Sequence, residues 1–203
     1  ARTTCIKPAG TTSLVLGTSS GIHAWHNDYY IRRLRVGKNE PIYKYLKENN
    51  PDLIEDEYFR PHDTAVIEIP QSAPKGSILR TESAFDLLKR VKKVATEWVK
   101  PGHRRGSNTH NVSATISLKQ EDWDKAGKWM WDNRDCYNGL SVLPYDGGTY
   151  TQAPFEDITK KEFDKRVKSL NDVDLSNIVE ATDETDLSGE LACAGGSCEI
   201  TSL

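Results

Sequence analysis

The sequence predicts an α/β protein: strand-like and helix-like segments alternate over residues 1–170, and an acidic tail follows over residues 171–203. Three observations carry this. Apolar residues recur at the helical period in Glu82–Val99, where Ala84, Leu87, Leu88, Val91, Ala95 and Trp98 form one stripe with Lys and Arg opposite. Strand-type alternation with β-branched and aromatic residues marks Tyr29–Val36, Thr64–Ile69 and Val112–Leu118. From Asn171 onward Asp, Glu, Thr and Ser dominate, leaving little apolar area to offset the entropy of ordering.

Taken in order, Thr3–Lys7 reads as a short strand stopped by Pro8, and Thr11–Leu16 as a helix after the Pro-Ala-Gly turn. Tyr29–Val36 is a strand with interleaved Arg, and Pro41–Glu48 a short helix with Pro in its first turn. Thr64–Ile69 is a strand and Glu82–Val99 the strongest helix. Val112–Leu118 is a strand, Gln120–Asn133 a second amphipathic helix, and Leu140–Leu143 a strand stopped by Pro144. Thr159-Lys-Lys-Glu162 is a capping box that opens a helix to about Leu170. Such alternation points to parallel βαβ units, with ligands beyond the carboxyl ends of the strands.

The 203 residues include five Trp and eight Tyr, enough to build a core, and no apolar run approaches a bilayer-spanning length. The N-terminal stretch lacks a secretion-signal pattern and a starting Met, so a processed product or part of a larger chain is expected. Four Cys are too few for a disulfide scaffold, and a reducing cytoplasm is the expected compartment. The net charge of -3 conceals an asymmetry: residues 169–203 carry eight acids and no base, leaving the body at +5. A mildly basic body suits an anionic ligand and equally a solvated surface.

Several segments carry potential chemistry. In Lys7-Pro-Ala-Gly-Thr-Thr-Ser13 a strand enters, Pro and Gly turn the chain and hydroxyl residues open a helix. Free amides at a helix start bind phosphate, but Ser and Thr cap helices with or without a ligand, so anion cradle and plain cap both remain open. The Gly-Lys-Ser/Thr of a Walker loop is missing, and a second Gly/Ser turn follows at Gly17–Gly21. His23 and His26 have a spacing two metal ligands could use, without an evident third; packed or surface imidazoles are the simpler reading. Arg32, Arg33 and Arg35 could meet phosphate or carboxylate, or be a solvated strand face. The loop Pro144–Pro154 offers Tyr145, Asp146 and Gln152, while Cys5 and Cys136 read as buried small hydrophobes. In the tail, Cys193 and Cys198 flank Ala-Gly-Gly-Ser. A dithiol joined by small residues with nothing apolar to pack against reads as redox chemistry rather than structure.

Together these motifs resemble a family. Cys5-Ile-Lys-Pro-Ala-Gly-Thr-Thr-Ser, Gly17-Thr-Ser-Ser-Gly-Ile-His, Tyr29-Tyr-Ile-Arg, Ser113-Ala-Thr-Ile-Ser-Leu, Gly139-Leu-Ser-Val-Leu-Pro, Thr149-Tyr-Thr-Gln-Ala-Pro and Glu190-Leu-Ala-Cys-Ala-Gly-Gly-Ser-Cys-Glu-Ile occur in the order found in adenosylcobalamin-dependent (class II) ribonucleotide reductases. The likeness is greatest to the ribonucleoside-triphosphate reductase branch and covers nearly the whole chain. It implies the C-terminal portion of the family's ten-stranded α/β barrel over residues 1–170, with a flexible tail over 171–203 carrying a redox dithiol.

The resemblance further implies that Ala9, Gly10, Thr11, Thr12 and Ser13 hold the phosphates of a ribonucleotide substrate, with Ala9 standing where many relatives have Thr or Ser. It makes Cys193 and Cys198 the couple that re-reduces the active-site disulfide after each turnover. The radical-bearing finger-loop motif Asn-Pro-Cys-Gly-Glu is missing: Cys5 lies in Thr-Thr-Cys-Ile and Cys136 in Arg-Asp-Cys-Tyr. The expectation is therefore a fragment, active only with the N-terminal part of the reductase. The complete enzyme would need adenosylcobalamin and a thioredoxin, glutaredoxin or other dithiol reductant. No metal site, membrane or direct nucleic-acid contact is expected. The alternatives are a stand-alone nucleotide-phosphate module with a redox-sensing tail, and an inactive remnant.

Overall fold

The computed structural model describes residues 2–106, 108–145, 147 and 150–179, with the side chains of Thr11 and Leu14 excepted. Cys193, Cys198, Asp146 and Thr149 therefore lie outside the described residues. Along the chain run α1 (Gly10–Leu16), β1 (Tyr29–Gly37), α2 (Pro41–Asn49), β2 (Ile54–Asp56), β3 (Thr64–Ser72), α3 (Ala84–Val94), β4 (Thr115–Leu118), α4 (Trp123–Asp132), β5 (Ser141–Pro144), β6 (Phe155–Asp157) and α5 (Lys160–Ser169). The chain is mixed α/β and divides into two units, each with its own core.

The first unit comprises the described residues of 2–25 and 76–147. Its α3 begins at a reciprocal cap: the Asp86 amide donates to Ser83 Oγ at 3.2 Å, and the Ser83 amide donates to the Asp86 carboxylate at 3.3 Å. Leu87, Leu88 and Val91 line its inner face, and a wide helical turn over Ala95–Val99 keeps Ala95 and Val99 on the same core. They meet Val112, Ala114, Ile116 and Leu118 around β4, and Ala126 of α4. β4, α4 and β5 form a βαβ unit, with β4 and β5 parallel from Thr115↔Ser141 to Leu118↔Pro144. This is the parallel pairing the alternation predicts. Thr3–Lys7 is not a strand: Ile6 alone bridges Val112, its amide donating to the Asn111 carbonyl at 3.3 Å, because Pro8 cannot donate to a continuing ladder.

The second unit comprises residues 26–75 and 150–179. Here the parallel expectation fails. The sheet order is β2-β3-β1-β6, and every neighbouring pair is antiparallel. The physical reason lies in β1 itself: Arg33 and Arg35 alternate with apolar residues, whereas strands of a parallel sheet covered on both faces read as continuous apolar runs. β1 and β3 pair over nine residues, Tyr29↔Ser72 to Gly37↔Thr64. Val36, Leu46, Leu53, Ala65 and Ile67 form the core beneath α2, while α5 packs against β1 and β3. Residues 171–179, expected in the flexible tail, are tied to α2. Asn171 donates its amide to Asn50 Oδ1 at 2.8 Å, and the Asp174 amide donates to the Tyr45 hydroxyl at 2.9 Å.

Candidate functional site

In the first unit the extended segment through Ile6 is held against Val112, turns at Pro8 and opens α1 at Gly10. The amides of Gly10, Thr11 and Thr12 have no intrahelical acceptor, as at any helix start. Thr12 is exposed, but Ser13 is 8% exposed and its hydroxyl donates inward to the Gly10 carbonyl at 2.9 Å. Of the five residues expected on phosphate, Ser13 thus has its single side-chain proton committed to the turn; Ala9 and Gly10 are half-buried.

The other end of α1 is a left-handed glycine cap. Gly17 has φ 59°, and the Thr18 amide reaches back to the Ser13 carbonyl at 2.9 Å. The second glycine of this turn decides where the segment sits. Gly21 has φ 60°, and a Cβ there would lie 3.1 Å from the Lys7 carbonyl oxygen and 3.2 Å from the Pro8 nitrogen. The two Gly/Ser turns singled out in the sequence are therefore packed backbone to backbone.

His23 closes the arrangement. Its Nδ1 lies 2.9 Å from the Ser20 carbonyl, and its Nε2 accepts the Thr115 amide at 3.0 Å. Bonding of this kind sets the neutral tautomer protonated on Nδ1 and uses both nitrogens on backbone, so the imidazole braces the turn against β4. Ser19, Gly21, Ile22, His23, Trp25, Ile78 and Arg90 line an adjoining pocket of about 280 Å³. Arg90 on its wall donates to the Ile22 carbonyl at 2.9 Å and is paired with both oxygens of Glu82.

The second unit accounts for the remaining candidates. His26 pairs with Asp157 at 2.9 Å and stacks on Phe155. The three arginines of β1 have different fates. Arg33 meets Glu68 at 2.6 Å and also pairs with Glu156; Arg166 of α5 reaches the other Glu68 oxygen at 3.0 Å. Glu68 is 3% exposed, and the carboxylates around Arg33 and Arg166 outweigh burial and raise both guanidinium pKa values. Arg35 lies 3.4 Å from Glu57. Arg32 meets no carboxylate among the described residues, and burial lowers its pKa.

Gln152 holds the loop before β6. At φ 54° its side chain accepts the Tyr58 amide at 2.9 Å and donates to the Asp56 carbonyl at 2.8 Å. Tyr145 is exposed. Cys5 is exposed too, which corrects its reading as a buried hydrophobe; in an extended segment whose Ile6 packs inward, the preceding side chain points away. Cys136 is half-buried. The Glu82–Arg90 and Arg33–Glu68–Arg166 pairings were not anticipated: the partners are far apart in sequence, except for the i, i+8 spacing of Glu82 and Arg90.

Comparison with known proteins places this geometry in context. No protein-family model matches the chain. A relative from Lactobacillus acidophilus named adenosylcobalamin-dependent ribonucleoside-triphosphate reductase is 28% identical over 201 residues, covering 97% of this chain and 26% of its own length. A protein of the same name from Euglena gracilis is 28% identical over 198 residues, and that from Lactobacillus leichmannii 26% identical over 205. Among solved structures, a B-12 dependent (class II) ribonucleotide reductase matches with a TM-score of 0.65 and 26% identity over 80% of this chain and 22% of its own. The chain thus spans about a quarter of the length of these relatives, and the motif resemblance is borne out over nearly its whole extent.

Proposed function

We propose that this chain is the C-terminal segment of an adenosylcobalamin-dependent ribonucleotide reductase, supplying part of the α/β barrel, the substrate phosphate-binding loop and the tail dithiol. The observation that carries the reading is the similarity to such reductases over 97% of the chain; within it, Gly21 packs on the Lys7–Pro8 backbone that leads into the loop Ala9–Ser13. The amides at the start of α1 and the Thr12 hydroxyl are the donors that would meet ribonucleotide phosphates; Ser13 shapes the turn. In this reading the barrel portion extends to residue 170 and the tail begins at 171, its first residues held against α2.

Cys193 and Cys198 would act by thiol–disulfide exchange. One tail thiolate attacks a sulfur of the active-site disulfide, forming a mixed disulfide and releasing one active-site thiolate. The second tail thiol then attacks the mixed disulfide, releasing the other active-site thiol and closing the Cys193–Cys198 disulfide. Two electrons and two protons pass inward, and a thioredoxin, glutaredoxin or other dithiol resets the tail. The acids Glu190 and Glu199 beside the pair disfavour thiolate, so activation must come from the site where the tail docks.

The pocket beside His23, about 280 Å³, is too small for a corrin with its nucleotide loop. Adenosylcobalamin is accordingly assigned to the complete enzyme, and no step on this chain is routed through it. The radical cysteine and the active-site disulfide are assigned to the N-terminal part. We place the assembly in the cytoplasm, consistent with its thiols; among the described residues no helix is long and apolar enough to cross a membrane.

The test is reconstitution. The chain alone should reduce no ribonucleotide. Mixed with the N-terminal polypeptide, adenosylcobalamin and reductant, it should restore deoxyribonucleotide formation. Failure to complement, combined with tight ribonucleotide binding by the isolated chain in calorimetry, would instead identify a free-standing binding module; failure of both would identify an inactive remnant.

A further inference from the structure

Among the described residues Arg32 is an enclosed cation without a counter-ion. It is 8% exposed, and no carboxylate or hydrogen-bond acceptor pairs with it among the described residues. On β1 it shares a face with Tyr30 and Leu34, and its register partners are Ile69 on β3 and Phe155 on β6. The guanidinium carbon lies 5.3 Å from the centroid of the Phe155 ring, so one face is covered by an aromatic. Asp157, opposite Tyr30, is the acid that register brings to this face, and His26 already holds it at 2.9 Å.

Arg33 is similarly enclosed but bonded to two carboxylates, which raise its pKa despite burial; for Arg32 burial prevails, opposed only by the phenol of Tyr30. The Phe155 ring covers one face of the guanidinium, and among the described residues no acceptor meets its N–H donors, which leaves them for an anion that arrives from outside. The edge of the guanidinium remains for it, and a planar fork of N–H donors matches the oxygens of a phosphoryl group.

We propose that Arg32 is the receptor of an oxyanion site in the second unit, taking a phosphoryl group along its edge while Phe155 covers its face. The site uses residues of that unit alone and does not rest on the reductase reading. Its failure would leave the α1 loop and the tail dithiol untouched.

Calorimetry and thermal unfolding of the full chain with inorganic pyrophosphate test this, with tricarballylate as a carboxylate of comparable charge. Arg32→Met keeps the aliphatic stem and removes the charge. The expected result is a loss of at least about tenfold in pyrophosphate affinity at one site. Thr12→Ala should retain that binding event. If Arg32→Met does not fold, as judged by circular dichroism, Arg32→Lys replaces it and should still weaken binding at least about tenfold, since a point charge cannot form the fork. Wild-type pyrophosphate affinity in the folded variant, or preferential binding of tricarballylate at Arg32, overturns the assignment.

Discussion

Glu68 shows how much a single side chain can decide. It lies opposite Arg33 in the β1–β3 register, is almost fully buried, and accepts from Arg33 with one oxygen and Arg166 with the other. Removing it leaves enclosed guanidinium groups short of a partner, the costly way to break a buried pair. Glu68→Ala should lower stability by about 3–5 kcal/mol in urea unfolding, and a loss under about 1 kcal/mol would show that the cluster is inert. Gly21 is the second decisive residue. Its positive φ strains any side chain there, and its approach to the Lys7–Pro8 backbone would make a Cβ crowd the Lys7 carbonyl. Gly21→Ala should separate the two turns and destabilise the first unit by about 1–3 kcal/mol, read as a lowered melting temperature and altered amide resonances for residues 7–13. None of this is written in local sequence. A glycine announces a turn, but the backbone it touches, fourteen positions earlier, is known only after folding.

At the scale of elements the chain is far more legible, because caps and periodicity are local. The Thr159 cap is present as the sequence predicts, its hydroxyl accepting the Glu162 amide at 3.2 Å. The Glu162 side chain bonds Arg166 instead of returning to the cap, so half of the anticipated box is formed. Thr159→Ala should cost about 1 kcal/mol, checked by chemical denaturation. At α3 the box is complete, and the Ser83 hydroxyl and amide hold the Asp86 carboxyl below its ordinary value. A depressed folded-state pKa contributes stability that is present above the unfolded value and lost as pH falls through the folded one. Acidification below about pH 4 should therefore fray the start of α3, and Asp86→Asn should flatten that dependence, as followed by amide exchange of residues 83–88. The elements the sequence did not reveal, β2 and β6, are three residues each, too short to show a period. They exist because β3 and β1 offer them open edges.

In the reconstituted reductase, Cys193→Ser or Cys198→Ser should allow one turnover and block further ones driven by a protein reductant, measured as product formed per enzyme. Continued normal turnover would remove the shuttle role. Residues 171–179 are bound to α2 through Asn171 and Asp174, so the tail leaves the second unit from a defined place. Thirteen residues then separate Val179 from Cys193, and chain geometry limits the reach to about 50 Å. Tyr45→Phe removes the hydroxyl that receives the Asp174 amide. It should raise proteolytic cleavage near residue 174 while leaving the melting temperature within about 2 °C, because an exposed hydrogen bond contributes little to global stability.

The sequence alone determined the placement of most helices and long strands, the βαβ unit of the first unit, the unusual turns around α1 and the likeness to a reductase segment, since these depend on periodicity, capping and motif order along the chain. Only the tertiary structure decided that the second sheet is antiparallel, that Gly21 rests on Lys7 and Pro8, that Ser13 turns inward, and that of the three arginines of β1 two find carboxylates and one, among the described residues, does not. Those outcomes depend on which distant residues pack together, and no local pattern carries that information.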